Sequence, residues 1–297
     1  MPTVYVTLPE PIQADGVCHA LAQRLVSGVS KGGSAVRTKG EGRFGMVYGI
    51  YQSAAGLQMN QFRQEVLANN LANLDTTGFK QDLAVIRERP LAMREAGNQP
   101  RNSDPSLAGM TGGTFISPTY TSFAQGPMQP TGGRLDVALS GDGFFVVRDG
   151  NQVRYTRDGK FTIDDQGELA TTTGKKVLGP DGTVIPIPSN LVDKVTISAS
   201  GEVKAGARSL GQIEVVEFAD NHQLRKVGAN LFEAIGVEPT WSNTTVQQGY
   251  VEGSSVEPTQ AMVSMIEVSR AYELNGTLLS LADNTLSKAV NNIAQLH

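Results

Sequence analysis

Ten residues near the end of the chain constrain its fold more than any other feature. Ala261, Met265, Val268, Tyr272, Asn275, Leu279, Ala282, Leu286, Ala289 and Ile293 follow one another at alternating steps of four and three. All but Asn275 are apolar or small. That spacing lays one seam along a long helix and leaves the seam in need of a partner. Pro258 suits the first helical position, where its missing N–H costs nothing, so the expected helix covers 258–297. Asn275 is a polar step of the kind that sets register at some loss of stability. Gly276 beside it weakens the helix by roughly 1 kcal/mol relative to Ala.

A second seam opens at Met46. Val47, Ile50, Ala54, Leu57, Gln61, Gln64, Ala68 and Leu71 keep the same alternation, with two polar steps in the middle. Asp75-Thr76-Thr77-Gly78 is turn chemistry. The helix is expected to end near 73–75, with Gly78 supplying a left-handed conformation after it. Two long helices at opposite ends of a chain, each with a heptad seam, are expected to pair with each other or with neighbours as a coiled-coil layer.

The period changes between them. Asp142-Gly143, Asp149-Gly150, Asp158-Gly159, Gln166-Gly167, Asp181-Gly182 and Ser200-Gly201 punctuate short alternating runs such as Leu135, Val137, Leu139 and Ile213, Val215. Such pairs supply the positive φ angles of tight hairpins. The expected fold class is mainly β with terminal α-helices: an all-β domain over 131–240, flanked by the two heptad helices. Residues 81–130 read as an extended arm or loop, with a long polar loop at 94–113, and 241–257 as a return segment. Residues 1–45 show no period, carry five basic residues against three acidic, and hold the chain's single Cys, Cys18. They lack the basic start and apolar core of a secretory signal. Met46 is therefore read as the true start, with an irregular extension as the alternative.

Composition narrows the function. A net charge of −4 argues against a nucleic-acid binder. One Cys, with His19, His222 and His297 scattered, suggests no metal cluster. No apolar run approaches the roughly 18 residues of a membrane span. Asp142, Asp149 and Asp158 each precede Gly and read as turn residues rather than catalytic carboxylates. Ser140-Gly141-Asp142-Gly143 lacks the order of a nucleophile elbow. No catalytic, cofactor-binding or metal residue is assigned, so no enzyme activity and no cofactor are expected.

Several stretches carry more than pattern. Asn69-Asn70-Leu71-Ala72-Asn73-Leu74-Asp75-Thr76-Thr77-Gly78-Phe79-Lys80 resembles the N-terminal signature of the bacterial flagellar rod and hook proteins. Leu135 to Leu139 with Gly141-Asp142-Gly143-Phe144-Phe145 looks like the start of that family's β-domain, and Tyr155-Thr156-Arg157-Asp158-Gly159 like its next hairpin. Gln248 to Val256 resembles the entry to its C-terminal helix, and Ser269 to Glu273 with Ala282 to Leu286 the helix itself. The match covers about 46–290 in the family's order.

The resemblance implies a structural subunit of the flagellar basal-body rod that self-assembles into the axial tube and transmits torque to the hook. It implies export through the flagellar type III apparatus without a cleaved signal, and partners among other rod proteins and copies of itself. No nucleic acid and no membrane insertion are expected. The assembly seam would run through Val47, Ile50, Ala54, Leu57, Ala68, Leu71, Met265, Val268, Tyr272, Leu279 and Leu286. The signature turn would be Asn70, Asn73, Thr77, Gly78 and Phe79, with Asn70 and Asn73 bonding backbone of adjacent chains or acting as local caps, and Phe79 either an internal anchor or a neighbour contact. The segments look more like the proximal-rod type, with the distal-rod type as the alternative. From other classes, a surface-fibre or adhesin subunit and a hydrolase built on the Asp-rich turns are the rivals.

Overall fold

Alternation along single strands builds the core of the β-domain. The computed structural model describes residues 41–88, 114–242 and 244–294. The chain divides into two compact units, 1–45 and 46–297. Residues 1–40, with Cys18 and His19, and the expected loop at 94–113 lie outside the described residues, as does His297. Among the described residues two long helices, α1 (Glu41–Ala72) and α2 (Pro258–Ala294), bracket twenty short strands. The architecture is therefore mostly β, with one helix towards each end.

The strands are β1 (Asp82–Leu83), β2 (Ile86–Glu88), β3 (Thr114–Ile116), β4 (Tyr120–Thr121), β5 (Met128–Pro130), β6 (Val137–Ser140), β7 (Phe144–Asp149) and β8 (Gln152–Thr156). Then come β9 (Phe161–Ile163), β10 (Leu169–Thr171), β11 (Lys176–Val177), β12 (Val195–Ile197), β13 (Glu202–Ala205), β14 (Arg208–Gln212) and β15 (Val215–Glu217). The last five are β16 (Leu224–Gly228), β17 (Leu231–Ala234), β18 (Thr240–Trp241), β19 (Thr245–Gln248) and β20 (Tyr250–Glu252). The main sheet runs β16-β17-β8-β7-β11-β10-β9, with β15 bridging β7 and β18. A separate antiparallel sheet holds β12-β13-β14.

Phe144 and Phe145 are consecutive on β7 and therefore point to opposite faces. Phe145 joins Val137, Leu139, Phe161, Leu169 and Ile213 in one buried cluster. Phe144 joins Tyr155, Val216, Phe218 and Phe232 in the other. A central strand apolar on both faces is thus the divide between two cores.

The turn signals divide into two kinds. Gly150 has a φ of +61° and closes the β7–β8 hairpin, as expected of Asp149-Gly150. Asp158-Gly159 closes no hairpin: a Cβ on Gly159 would lie 1.6 Å from the Val137 carbonyl oxygen. There Gly serves close strand packing, a need that resembles a turn only in sequence.

The expected arm and return segments are partly strand. β1 pairs with β4 and β2 with β3, within the stretch read as arm or loop. β5 pairs with β20, and β6 with β19. The segment 241–257 therefore does more than return the chain. It closes strands from the beginning of the domain before α2 starts.

Candidate assembly junction

Three sequence segments far apart in the chain meet where α1 ends and α2 begins. α1 stops at Ala72, and Asn73 ties the turn that follows: its amide donates to the Asn69 carbonyl at 2.9 Å and accepts from the Thr76 hydroxyl at 3.1 Å. Asn70 is buried, and its amide both donates to the Asp82 carbonyl (2.7 Å) and accepts from the Asp82 N–H (2.9 Å). Within this chain Asn70 is satisfied by the first backbone groups of β1, as a buried amide must be, and Asn73 caps the turn locally.

Gly78 has a φ of +66°, and its N–H donates to the Glu252 carbonyl at 2.7 Å. A Cβ here would sit 2.5 Å from the Arg157 carbonyl carbon. Only glycine fits both the angle and the approach. The Thr77 hydroxyl donates to Asp158 Oδ1 at 2.6 Å, and the Thr77 carbonyl accepts from the Asn230 amide at 2.9 Å. Burial raises the Asp158 carboxyl above its ordinary value, against the opposing hydrogen bonds from Thr77 and Lys160. Phe79 is an internal anchor: it packs with Val256 and Ala261, beside Leu71 and Leu74.

The centre of the junction is ionic. Lys80 Nζ donates to Glu252 Oε1 at 2.6 Å and to the Ala124 carbonyl at 2.8 Å. Arg157 Nη1 donates to Glu252 Oε2 at 3.2 Å, and the Gly126 N–H donates to Oε1 at 2.8 Å. None of the three charged side chains is more than 2% exposed. Two cations thus share one buried anion. Burial lowers the Lys80 ammonium below its ordinary value, Glu252 opposes that shift, and Arg157 adds to it. Arg157 is lowered by burial too, and its guanidinium lies 5.0 Å from the centre of the Phe144 ring. Lys226 clasps the outer side. Its Nζ donates to the Lys80 carbonyl and to Asp82 Oδ2, 4.1 Å from the centre of the Phe79 ring.

The helices lead away from this junction. They approach each other at Gly56 and Asn275, where a Cβ on Gly56 would lie 3.2 Å from the Asn275 amide. Ile50, Ala54, Leu57 and Leu71 are half-buried in this chain, and Ala68 is exposed. The side chain of Val47 lies outside the described residues. On α2, Met265, Val268, Leu279 and Leu286 are half-buried, whereas Tyr272 is exposed. The opposite side of α2 carries a second apolar row: Val263, Ile266, Leu274 and Leu281, the last three 53%, 62% and 63% exposed.

Among the described residues no group of three His, Cys, Asp or Glu is placed to hold a metal ion, and no helix is long and apolar enough to cross a membrane. Sequence reasoning passed over Lys80, Arg157 and Glu252, although each stood inside a stretch quoted for its resemblance. The available signal was a charge beside Phe79, a charge beside Gly253, and a charge two residues before Gly159. Lys226 and Asn230 gave no such signal.

Comparison with known proteins fits these segments in order. Residues 50–80 match a family model described as flagella basal body rod protein. Residues 138–205 match the flagellar hook protein FlgE/F/G D1 domain, and 247–293 the flagellar basal body rod FlgEFG protein C-terminal model. The chain is 34% identical over 262 residues to the flagellar basal-body rod protein FlgG of Buchnera aphidicola subsp. Acyrthosiphon pisum, covering 82% of this chain and 98% of that protein. It is 35% identical over 266 residues to FlgG of Borreliella burgdorferi, with 83% and 98% covered. Against the flagellar basal-body rod protein FlgF of Caulobacter vibrioides, identity is 36% over 227 residues, with 74% and 86% covered.

Proposed function

The chain belongs to the flagellar basal-body rod protein family, and from that premise we propose how its parts serve the rod. It is a structural subunit of the basal body. Relatives named FlgF and FlgG both align with it, so family membership is common to the proximal and distal readings.

In our reading, α1 and α2 pair as a coiled coil and pack against the helices of neighbouring subunits to form the inner layer of the axial tube. The β-domain forms the outer layer. The protein transmits torque and performs no catalysis. It reaches the rod through the flagellar type III export apparatus, without a cleaved signal. Its partners are other rod proteins and further copies of itself.

One observation carries this reading: the outward row of α2. A helix apolar on two opposite sides needs partners on both. The body of the subunit and α1 serve one side, and Ile266, Leu274 and Leu281 on the other stand in water. Sedimentation of the purified chain tests it. The wild-type chain should associate as concentration rises, and Leu274→Glu/Leu281→Glu should stay monomeric with an unchanged β-rich circular-dichroism spectrum. Association of the double variant at wild-type concentrations would contradict the reading.

A further inference from the structure

A groove of about 500 Å³ opens where α1, β1 and the start of α2 converge. Val66, Leu67, Val256, Ala261 and Val268 give it apolar walls. Its rim is mainly acidic. Glu257 and Glu267 line it and are exposed, and Arg63 lines it as well. Asp82 also lines it, but Lys226 already holds that carboxylate at 2.9 Å. Leu83, exposed on β1, extends the apolar surface at the groove's edge.

The outward row of α2 has the complementary character. Val263, Ile266, Arg270, Leu274, Thr277 and Leu281 follow at steps of three and four, so they share one side of the helix. Arg270 stands in the middle of this row, one turn from both Ile266 and Leu274. The row is therefore an apolar ridge with a central cation, and the groove is an apolar trough with an acidic rim.

We propose that the groove receives the outward ridge of α2 from a second copy of this chain, with Arg270 of that copy set against Glu257 and Glu267. This rests on the rod-subunit reading and deepens it by naming both faces of the contact. The two faces are different patches of one chain. Such a contact is head-to-tail, and repeated without closure it yields an open helical polymer rather than a closed dimer. Each copy offers one ridge and one groove, so every added subunit uses one face to join and presents the other to the next copy.

A charge exchange tests the pairing in cells. A strain lacking this gene is given Arg270→Glu, Glu257→Arg, both genes together, or the double variant, and basal bodies are viewed by electron microscopy. In either single variant a ridge meets a groove rim of like charge, and rods should be lost or at least tenfold fewer than with the wild-type gene. In the mixed strain the Glu-bearing ridge fits the Arg-bearing groove, and the unaltered ridge of the second variant fits the unaltered groove of the first. Rods should return, built of alternating subunits, and the double variant should also restore them. Normal rods in both single variants would overturn the proposal. So would failure of both the mixed strain and the double variant, provided each variant chain accumulates to wild-type level. Leu274→Glu is the second ridge variant and should remove rods whichever charge stands at 257; rods in its presence would overturn the proposal too. If rods form in the strain lacking the gene altogether, the rod-subunit reading itself fails, an outcome distinct from all of these.

Discussion

Lys80 and Glu252 stand 172 residues apart in sequence and 2.6 Å apart in space, and neither side chain reaches solvent. The first ends the turn after α1, and the second ends β20, six residues before α2. Their ion pair therefore ties the two helix-bearing ends of the subunit together at one point on the β-domain. Arg157, from the end of the β7–β8 hairpin, makes it a triad.

Removing the shared anion should be severe. Glu252→Gln leaves two buried cations without a counter-charge, and breaking a buried pair from one side costs about 3–5 kcal/mol. Urea unfolding followed by circular dichroism should show a loss of that size. A loss no larger than about 1 kcal/mol, the scale of an exposed pair, would contradict the triad.

Lys80 also predicts a pH dependence. Its folded value lies below the ordinary 10.5, because burial outweighs the attraction of Glu252. Between the lowered value and 10.5 the unfolded chain holds a proton that the folded chain has released. Stability then rises with pH in that window, by the sign of proton linkage. Lys80→Met lacks the group, so the wild-type stability relative to this variant should increase as pH rises towards 10.5. A difference that stays constant or falls would refute the lowered value.

Gly78→Ala tests the approach of the signature turn to the hairpin. A left-handed conformation costs an L-residue roughly 1–2 kcal/mol, and the Cβ would also meet the Arg157 backbone at 2.5 Å. The variant should lose more than that strain alone, with hydrogen exchange speeding first at the Gly78 and Phe79 amides. A loss within a few tenths of a kcal/mol would contradict the packing.

Asp158→Asn tests the raised carboxyl beside the signature turn, read by urea unfolding at several pH values. The carboxyl is raised by burial, so its charged form is disfavoured in the fold. Asn keeps an acceptor for Thr77 and removes that charge, and it should be neutral or mildly stabilising at pH 7. As pH falls the wild-type carboxyl takes up its proton and regains stability, so the advantage of Asn should shrink. Strong destabilisation at pH 7 would mean that the charge itself holds the turn.

The helices were legible because their seams repeat over many turns. On α2 the half-buried positions follow the expected seam through Met265, Val268, Asn275, Leu279, Ala282 and Leu286, whereas Tyr272 in its midst is exposed. Among the described side chains of α1 the most buried in this chain are Asn60, Val66 and Asn70, with Gly56 against Asn275. Two are polar, and a search for apolar spacing passes over them; Asn70 is buried only because β1 supplies its partners. The exposed Ala68 and the half-buried Leu57 keep their assembly role as a proposal.

Strands such as β6, β8, β9 and β12 announced themselves by alternation, but their partners did not. β5 with β20 and β6 with β19 join segments more than a hundred residues apart, and no local pattern encodes such pairing. The junction shared this difficulty. All three of its charges stood inside recognisable stretches, yet burial and mutual contact are properties of the fold.

The most direct measurement of the central claim is electron microscopy of basal bodies from a strain in which this gene is deleted. The account predicts basal bodies without a complete rod, and cells that do not swim until the intact gene is returned. Complete rods and normal swimming in the deleted strain would contradict it.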